Sequence, residues 1–308
     1  DRSVSRGLGD VYKRQKINRV YVDRVHVKKA FAEYTAAYNA DDPKIKLKID
    51  HTYRVAALCE RIAKAAGMCA YDVELAWLSG MLHDVGRFEQ IKRYNTFSDA
   101  DSVDHAKFGA DLLFKDGLIS TFLNGMVKCT GYKPGALEDR YSSDGVFLYD
   151  RLNKSDMEML ELAIRCHNMY RIPQGLNRRE QAFCNVLRDA DKVDIFKVNI
   201  DTPLEEIYNT TTEELMKSDI TDEVLKAFYE EHCILKAIRR TPADTVIGHV
   251  SLAYELVYDE SVRITVEQGY LAKLMHFHSD NEETNRKMAM VREKMDSYVK
   301  KRIGEKDA

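Results

Sequence analysis

The sequence predicts an all-α fold, a helical bundle followed by an additional C-terminal helical lobe. Three observations carry this expectation. Apolar residues recur at three- and four-residue spacing along most of the chain, strict period-two alternation is rare, and 5 Pro and 15 Gly leave long stretches unbroken.

Taken in order, residues 24–39 carry an apolar stripe through Val27, Phe31, Tyr34 and Tyr38. Residues 50–66 carry another through Val55, Leu58, Ile62 and Ala66, with Gly67 placed to follow the helix end. Asp72 is positioned to cap a helix running through Trp77 and Met81 to His83-Asp84, with Gly86 as its stop. Ser102 is positioned to cap the next, through Gly109 and Leu113 to Gly117. The stretch SDME at 155–158 has the form of a capping box, opening a helix that ends near His167. A helix over 178–198 then contains Asp191. Between 118 and 154 the periodicity weakens, and TGYKPGALEDRYSSDG reads as a surface insertion or lid. Further helical patterns follow at 203–217, 221–238, 241–258, 261–278 and 281–303.

The organisation that emerges is an N-terminal helix within 16–44, a core over 45–200 holding the 118–154 insertion, and a helical lobe over 201–308. Residues 1–15, DRSVSRGLGDVYKRQ, resemble the translated adapter-derived tails found at the ends of metagenomic gene fragments. They are set aside as a non-native tail, with the native start expected to be missing.

Composition narrows the function classes. Charged residues make up 31% of the chain and hydrophobic ones 44%, as in ordinary globular proteins. The 47 basic and 50 acidic residues are interspersed and leave a net charge of −3, so neither an extended nucleic-acid surface nor a membrane surface is expected. No apolar run approaches the ~20 residues of a membrane span. The 6 cysteines are scattered without a C-x-x-C, which favours reduced, mostly buried thiols and a cytoplasmic setting. Self-association, if it occurs, is expected through the C-terminal helices.

The chemistry lies in polar residues on otherwise apolar helical faces. His51 precedes Val55 by four and Leu58 by seven. His83 follows Gly80 by three, and Asp84 comes next, turned about 100° around the axis. His105 sits four before Gly109. His167 follows Leu160 and Ile164 at helical spacing, and Asp191 follows Leu187 by four. Each has an ordinary explanation: a lone His on an apolar face is more often a hydrogen-bonded core residue, and a lone Asp at a helix end more often a cap. Jointly they are harder to explain. Burying four imidazoles and two carboxylates without partners would cost several kcal/mol each, and a metal site removes that cost. Imidazole with carboxylate suits Fe, Mn, Co, Ni or Zn rather than Mg or Ca alone.

The order His51 … His83-Asp84 … His105 … His167 … Asp191 resembles the HD-domain superfamily of metal-dependent phosphohydrolases, in its six-ligand dinuclear branch. The segments HTYRVAALCERIA, LSGMLHDVGRF, DHAKFGADLL, HNMYRIPQGL and LRDADKVDIFKV are each similar to HD family segments. The resemblance implies two divalent transition metals, with Fe or Mn favoured. His51, His83, Asp84 and Asp191 would hold one, and His105 and His167 the other, with Asp84 bridging. It implies attack on a phosphate ester or anhydride by a metal-bridged hydroxide. A nucleotide-like phosphate is the expected partner. Candidate substrate cations are Arg54, Arg87, Arg188 and Lys192, with Arg87 standing where related enzymes often carry Lys. Their ordinary alternative is pairing with Asp189, Asp194 or solvent. Asn168, beside His167, is a candidate for orienting the substrate or leaving group. Asp84, Arg87 and Asn168 make up the expected catalytic set.

The pattern also departs from known branches. The cyclic-di-GMP-specific branch carries HHE…GYP at the fourth ligand, whereas this chain has His167-Asn168 followed by RIPQGL. The GYKP at 131–134 lies before His167 and is a decoy. In four-ligand deoxynucleotidases His105 and His167 would be surplus. Dinucleoside-polyphosphate hydrolases fit the ligand order better, although the step from His105 to His167 is long. Two other readings stand beside hydrolysis. One is an HD-fold mixed-valent di-iron oxygenase, which uses the same ligand order. The other is a non-catalytic ligand-binding module.

Overall fold

The structure, a computed structural model, describes residues 22–123, 152, 154–205 and 210–304. It is all-α, with no strand among the described residues. The first helices are α1 (Arg24–Thr35), α2 (Pro43–Ala65), α3 (Ala70–Leu82), α4 (Val85–Tyr94), α5 (His105–Ala110) and α6 (Ile119–Phe122). They are followed by α7 (Lys154–Cys166), α8 (Arg178–Asp201), α9 (Thr212–Lys217), α10 (Asp222–Tyr229), α11 (Pro242–Val250), α12 (Asp259–Gln268), α13 (Tyr270–Met275) and α14 (Glu282–Ile303).

Local signals account for most starts. Asp42 accepts from the Lys44 amide and Pro43 takes the first position of α2, so that helix begins earlier than the expected residue 50. Asn177 and Glu180 form a reciprocal capping box on α8. The same device opens α9 through Thr211 and Glu214, and α11 through Thr241 and Asp244.

Several expected boundaries are corrected. Asp72 does not cap α3; Cys69 holds that position, and the Asp72 carboxylate is engaged by Arg179 at 2.7 Å. Ser102 does not cap α5, because its hydroxyl donates to the Ser98 carbonyl and accepts from Gln90. Asp104 caps instead, accepting from the Lys107 amide, and α5 then widens into a π-helical turn over Asp111–Lys115. SDME is not a capping box: α7 begins at Lys154, ahead of Ser155, and Asp156 is buried against Tyr71 and Arg179. The long C-terminal patterns break into shorter helices, as at Gly269 between α12 and α13. Of the expected 118–154 lid, residues 118–123 form α6 and its flanks, with Ile119 and Phe122 buried beside α1. The rest of that segment, apart from residues 152 and 154, lies outside the described residues, as do the 1–15 tail and the GYKP stretch.

Two close backbone approaches set the geometry of the core. α3 lies against α2, and a Cβ on Gly80 would meet the Ala56 Cα at 2.6 Å. Only Gly lets these two helices meet at that point, bringing His83 to His51. Gly86 was expected as a stop but lies inside α4. A Cβ there would meet the His105 carbonyl at 2.5 Å and the Gly109 amide at 2.7 Å. This contact seats α5 beside the α3–α4 junction.

α8 packs on α2, α3 and α7, and on its other side receives α12, α13 and the 3-10 turn Ser251–Glu255. Leu75, Leu78, Met81 and Leu82 of α3 are fully buried, each contributing about 1.5–3 kcal/mol of apolar burial. Cys59, Cys166, Cys184 and Cys233 are buried free thiols, and Cys69 is an exposed one. No helix among the described residues is long and apolar enough to cross a membrane.

Candidate metal centre

The structure brings His51, His83, Asp84, His105, His167 and Asp191 together. The four histidines and Asp84 are buried. They come from α2 (His51), the end of α3 (His83), the start of α4 (Asp84), the first residue of α5 (His105), the residue after α7 (His167) and the middle of α8 (Asp191). Asp84 occupies the N-cap position of α4 but makes no side-chain cap bond. Its carboxylate faces the histidines instead.

Each imidazole is held from behind through Nδ1. His83 Nδ1 lies 2.7 Å from the Gly80 carbonyl and His167 Nδ1 2.7 Å from the Ile164 carbonyl. His51 Nδ1 lies 2.6 Å from Asp194 Oδ2, and His105 Nδ1 2.7 Å from Asp99 Oδ2. A carbonyl or carboxylate oxygen accepts only, so Nδ1 carries a proton, and in the neutral form of each ring Nε2 is left as the lone-pair donor. All four Nε2 atoms turn inward. His51 and His83 face each other Nε2 to Nε2 at 3.2 Å, and His105 and His167 do so at 3.0 Å. Two lone pairs at that distance repel unless a proton or a metal cation lies within reach of both.

Asp84 divides between the two pairs. Its Oδ2 lies 3.5 Å from His51 Nε2 and 3.4 Å from His83 Nε2. Its Oδ1 lies 3.5 Å from His105 Nε2 and 3.8 Å from His167 Nε2, and it is buried without a hydrogen-bond partner among the described residues. Asp191 Oδ1 joins the first pair, 3.1 Å from His51 Nε2 and 3.9 Å from His83 Nε2. Two buried groups able to hold a metal ion result, His51–His83–Asp84 and Asp84–His105–His167, with a third, half-buried one at Asp99–Asp104–His105 beside them. Buried imidazole nitrogens and an orphaned carboxylate oxygen are the donors that a transition-metal cation takes.

The electrostatics agree. Burial pushes Asp84 up, but Lys48, His83 and His105 hold it well below the ordinary carboxylate range. Burial and then the neighbouring His105 and His83 lower His167 to about 3. Burial and Arg87 lower His105, despite Asp99. These two rings are thus neutral at neutral pH, in the form that ligates metal.

The expected substrate cations are placed differently from one another. Arg87 stands beside Asp84, its Nε 3.8 Å from Oδ1 and without a hydrogen-bond partner among the described residues, while its Nη1 donates to Gln90, to the Phe97 carbonyl and to Asp99. Arg54 is not brought to the histidines. Its guanidinium forks onto Asp194 at 2.6 and 2.9 Å, behind His51. Arg188 donates to the Met169 and Tyr170 carbonyls, bracing the loop after His167. Lys192 is buried next to Asp191 and makes no hydrogen bond or ion pair among the described residues. Asn168 donates to Asp104 at 2.9 Å and Asp99 at 3.3 Å, tying the end of α7 to the loop before His105.

Three residues escaped sequence reasoning. Asp194 follows Asp191 by three on α8 and orients His51, a role beyond that of a partner for cations. Asp99 orients His105 from a loop rich in Asp and Ser. Lys48, one turn before His51 on α2, donates to Asp84 Oδ2 at 2.7 Å. The i, i+3 spacing was the available signal for Lys48 and Asp194; Asp99 offers none.

Residues 49–197 match one protein-family model, described as HD domain. No curated protein and no solved structure matches the chain.

Proposed function

We propose, from the premise that residues 49–197 of this chain are an HD domain, that the protein is a metal-dependent phosphohydrolase acting on a nucleotide-like phosphate ester or anhydride. The single observation that carries the proposal is the division of Asp84, one oxygen toward His51 and His83 and the other toward His105 and His167. That arrangement suits a pair of cations sharing one carboxylate. His51, His83, Asp84 and Asp191 would hold the first. Asp84, His105 and His167 would hold the second. The donor set favours Fe or Mn and is compatible with Co, Ni or Zn. When bound, such a pair supplies Lewis-acid polarisation of a phosphoryl oxygen and lowers the pKa of water.

The protein groups divide the remaining work. Asp194 and Asp99 fix the tautomers of His51 and His105, so that Nε2 rather than Nδ1 is presented. Arg87, whose Nε beside Asp84 has no hydrogen-bond partner among the described residues, would offer it to an anionic substrate oxygen. Arg54 is a positioning residue acting through Asp194, and Asn168 one acting through Asp99 and Asp104, rather than groups that touch substrate. Arg188 braces the loop behind His167. Lys192, buried beside Asp191 with no acceptor among the described residues, is kept as a substrate cation.

The test is elemental analysis of anaerobically purified protein, joined to a phosphate-release screen run with and without oxygen. Two transition-metal ions per chain and phosphate release independent of oxygen are expected. Oxygen consumption without phosphate release from any ester would replace this reading with the di-iron oxygenase. Metal-free protein that cannot be reconstituted with Mn or Fe would replace it with a binding module.

A further inference from the structure

We propose that Lys48 is the anion-recognition residue of this centre, and that it selects a phosphoryl group carrying two negative charges, a terminal monoester or anhydride, over a singly charged diester. The proposal rests on the phosphohydrolase reading and makes its substrate class specific.

Among the described residues Lys48 is the cation nearest the Asp84 carboxylate, with Nζ 2.7 Å from Oδ2. An ammonium has three N–H donors. This one makes a single hydrogen bond among the described residues, so two donors remain for a ligand. Its side chain is 15% exposed, whereas His51 and His83 behind it are at 1% and 0%, so it borders the opening of the centre rather than its floor. The Phe97 ring lies 5.4 Å from Nζ and is an apolar wall for the charge.

The charge count gives the selectivity. Among the described residues four carboxylates lie against the histidines, Asp84, Asp191, Asp99 and Asp194; Lys48 and Arg87 lie beside Asp84, Arg87 also pairs with Asp99, and Lys192 is buried near Asp191. Asp194 is matched by Arg54 behind His51. With the imidazoles in the neutral form that metal ligation requires, these four carboxylates and the four cations Lys48, Arg87, Arg54 and Lys192 leave the side chains around the centre close to electroneutral. Divalent cations held there present nearly their whole charge to the substrate. A dianionic phosphoryl group neutralises more of that charge than a diester monoanion, and the attraction is strong at contact distance in a partly dehydrated site. A terminal phosphoryl group also has three non-bridging oxygens against two in a diester. The extra oxygen is an acceptor for the two unused Lys48 donors.

The experiment uses the full chain reconstituted with Mn(II), with calorimetric binding of inorganic phosphate and of dimethyl phosphate, and metal content measured on the same samples. The wild-type protein should bind phosphate at least about tenfold tighter than dimethyl phosphate. Lys48→Gln should lose about tenfold in phosphate affinity, keep its affinity for dimethyl phosphate and keep its metal; Lys48→Arg should recover most of the loss. Unchanged phosphate binding in Lys48→Gln would overturn the proposal. So would loss of phosphate binding in step with loss of metal, which would make Lys48 a support for Asp84 alone. Wild-type protein that binds neither anion would also overturn it. Anion binding is measured apart from turnover, so an absence of phosphate release would count against the hydrolase reading and not against Lys48.

Discussion

His105 and His167 present Nε2 to Nε2 at 3.0 Å, each ring held from behind through Nδ1, one by Asp99 and the other by the Ile164 carbonyl. With His167 lowered to about 3 by burial and its histidine neighbours, no proton is available at neutral pH to lie between them. A cation is the remaining way to relieve the contact. Chelation should therefore destabilise the protein, and Mn(II) at about a hundred times its Kd should restore about 2.7 kcal/mol for each site filled. Thermal melts with EDTA and after readdition of metal would measure this. A melting temperature indifferent to both would remove the case for metal at this pair.

The same geometry separates Asp84 from His105. Asp84 is shared by the His51–His83 and His105–His167 groups, whereas of these two His105 belongs only to the second. Asp84→Ala should abolish metal retention and activity together, whereas His105→Ala should lose one metal preferentially and keep the other. Elemental analysis of the two variants decides. Full activity in either would show that the shared-carboxylate assignment is wrong.

Arg54 and Asp194 give a sharper distinction. The Arg54 fork on Asp194 orients the His51 ring, and loss of such an outer partner typically lowers metal affinity about 10–100-fold. Arg54→Ala should accordingly be inactive at trace metal and recover when Mn(II) is raised, with KM close to wild type at saturation. A raised KM that excess metal does not correct would return Arg54 to the substrate.

Much of this was legible in the sequence, and the exceptions have physical reasons. His51, His83, His105 and His167 stood out because each is a polar residue on an apolar helical face. Lys48 did not, because it lies in KIKLK, where neighbouring lysines read as a solvated surface. Its meaning depends on Asp84, 36 residues away. Asp99 is one acid among several in a loop with no period to read. α4 was hidden for a different reason. Gly86 carries the composition of a stop signal, but the need it meets is tertiary, the approach of α5. In the C-terminal lobe the apolar period continues across breaks such as Gly269, so the helices were read as longer than they are.

Gly86 leaves no room for a side chain. A Cβ would meet backbone atoms of His105 and Gly109, which cannot rotate away as a side chain would. Gly86→Ala should destabilise the fold by about 1–3 kcal/mol or more, as overpacking does. It should also weaken metal binding at His105 more than at His51. Chemical denaturation combined with metal titration would check both effects. A stable variant with both metals intact would mean that α4 and α5 tolerate separation.

Lys192 ties stability to function and to pH. Burial, and then the Arg188 guanidinium, lower its ammonium to about 8 from an ordinary 10.5, despite Asp189 and Asp191 nearby. Below pH 8 both the folded and the unfolded chain hold the proton, and the folded state bears the cost of a buried charge. Between about 8 and 10.5 the unfolded chain holds more protons than the folded one, so wild-type stability rises with pH across that window, by about 3 kcal/mol at most. Lys192→Met removes both the cost and the rise. Metal-free Lys192→Met should therefore be more stable than wild type at pH 7, with the gap closing toward pH 10 in urea denaturation. If the ammonium also serves the substrate, the metal-loaded variant should have a raised KM at pH 7. A variant less stable than wild type at pH 7 would mean that Lys192 has an acceptor outside the described residues and is a structural cation.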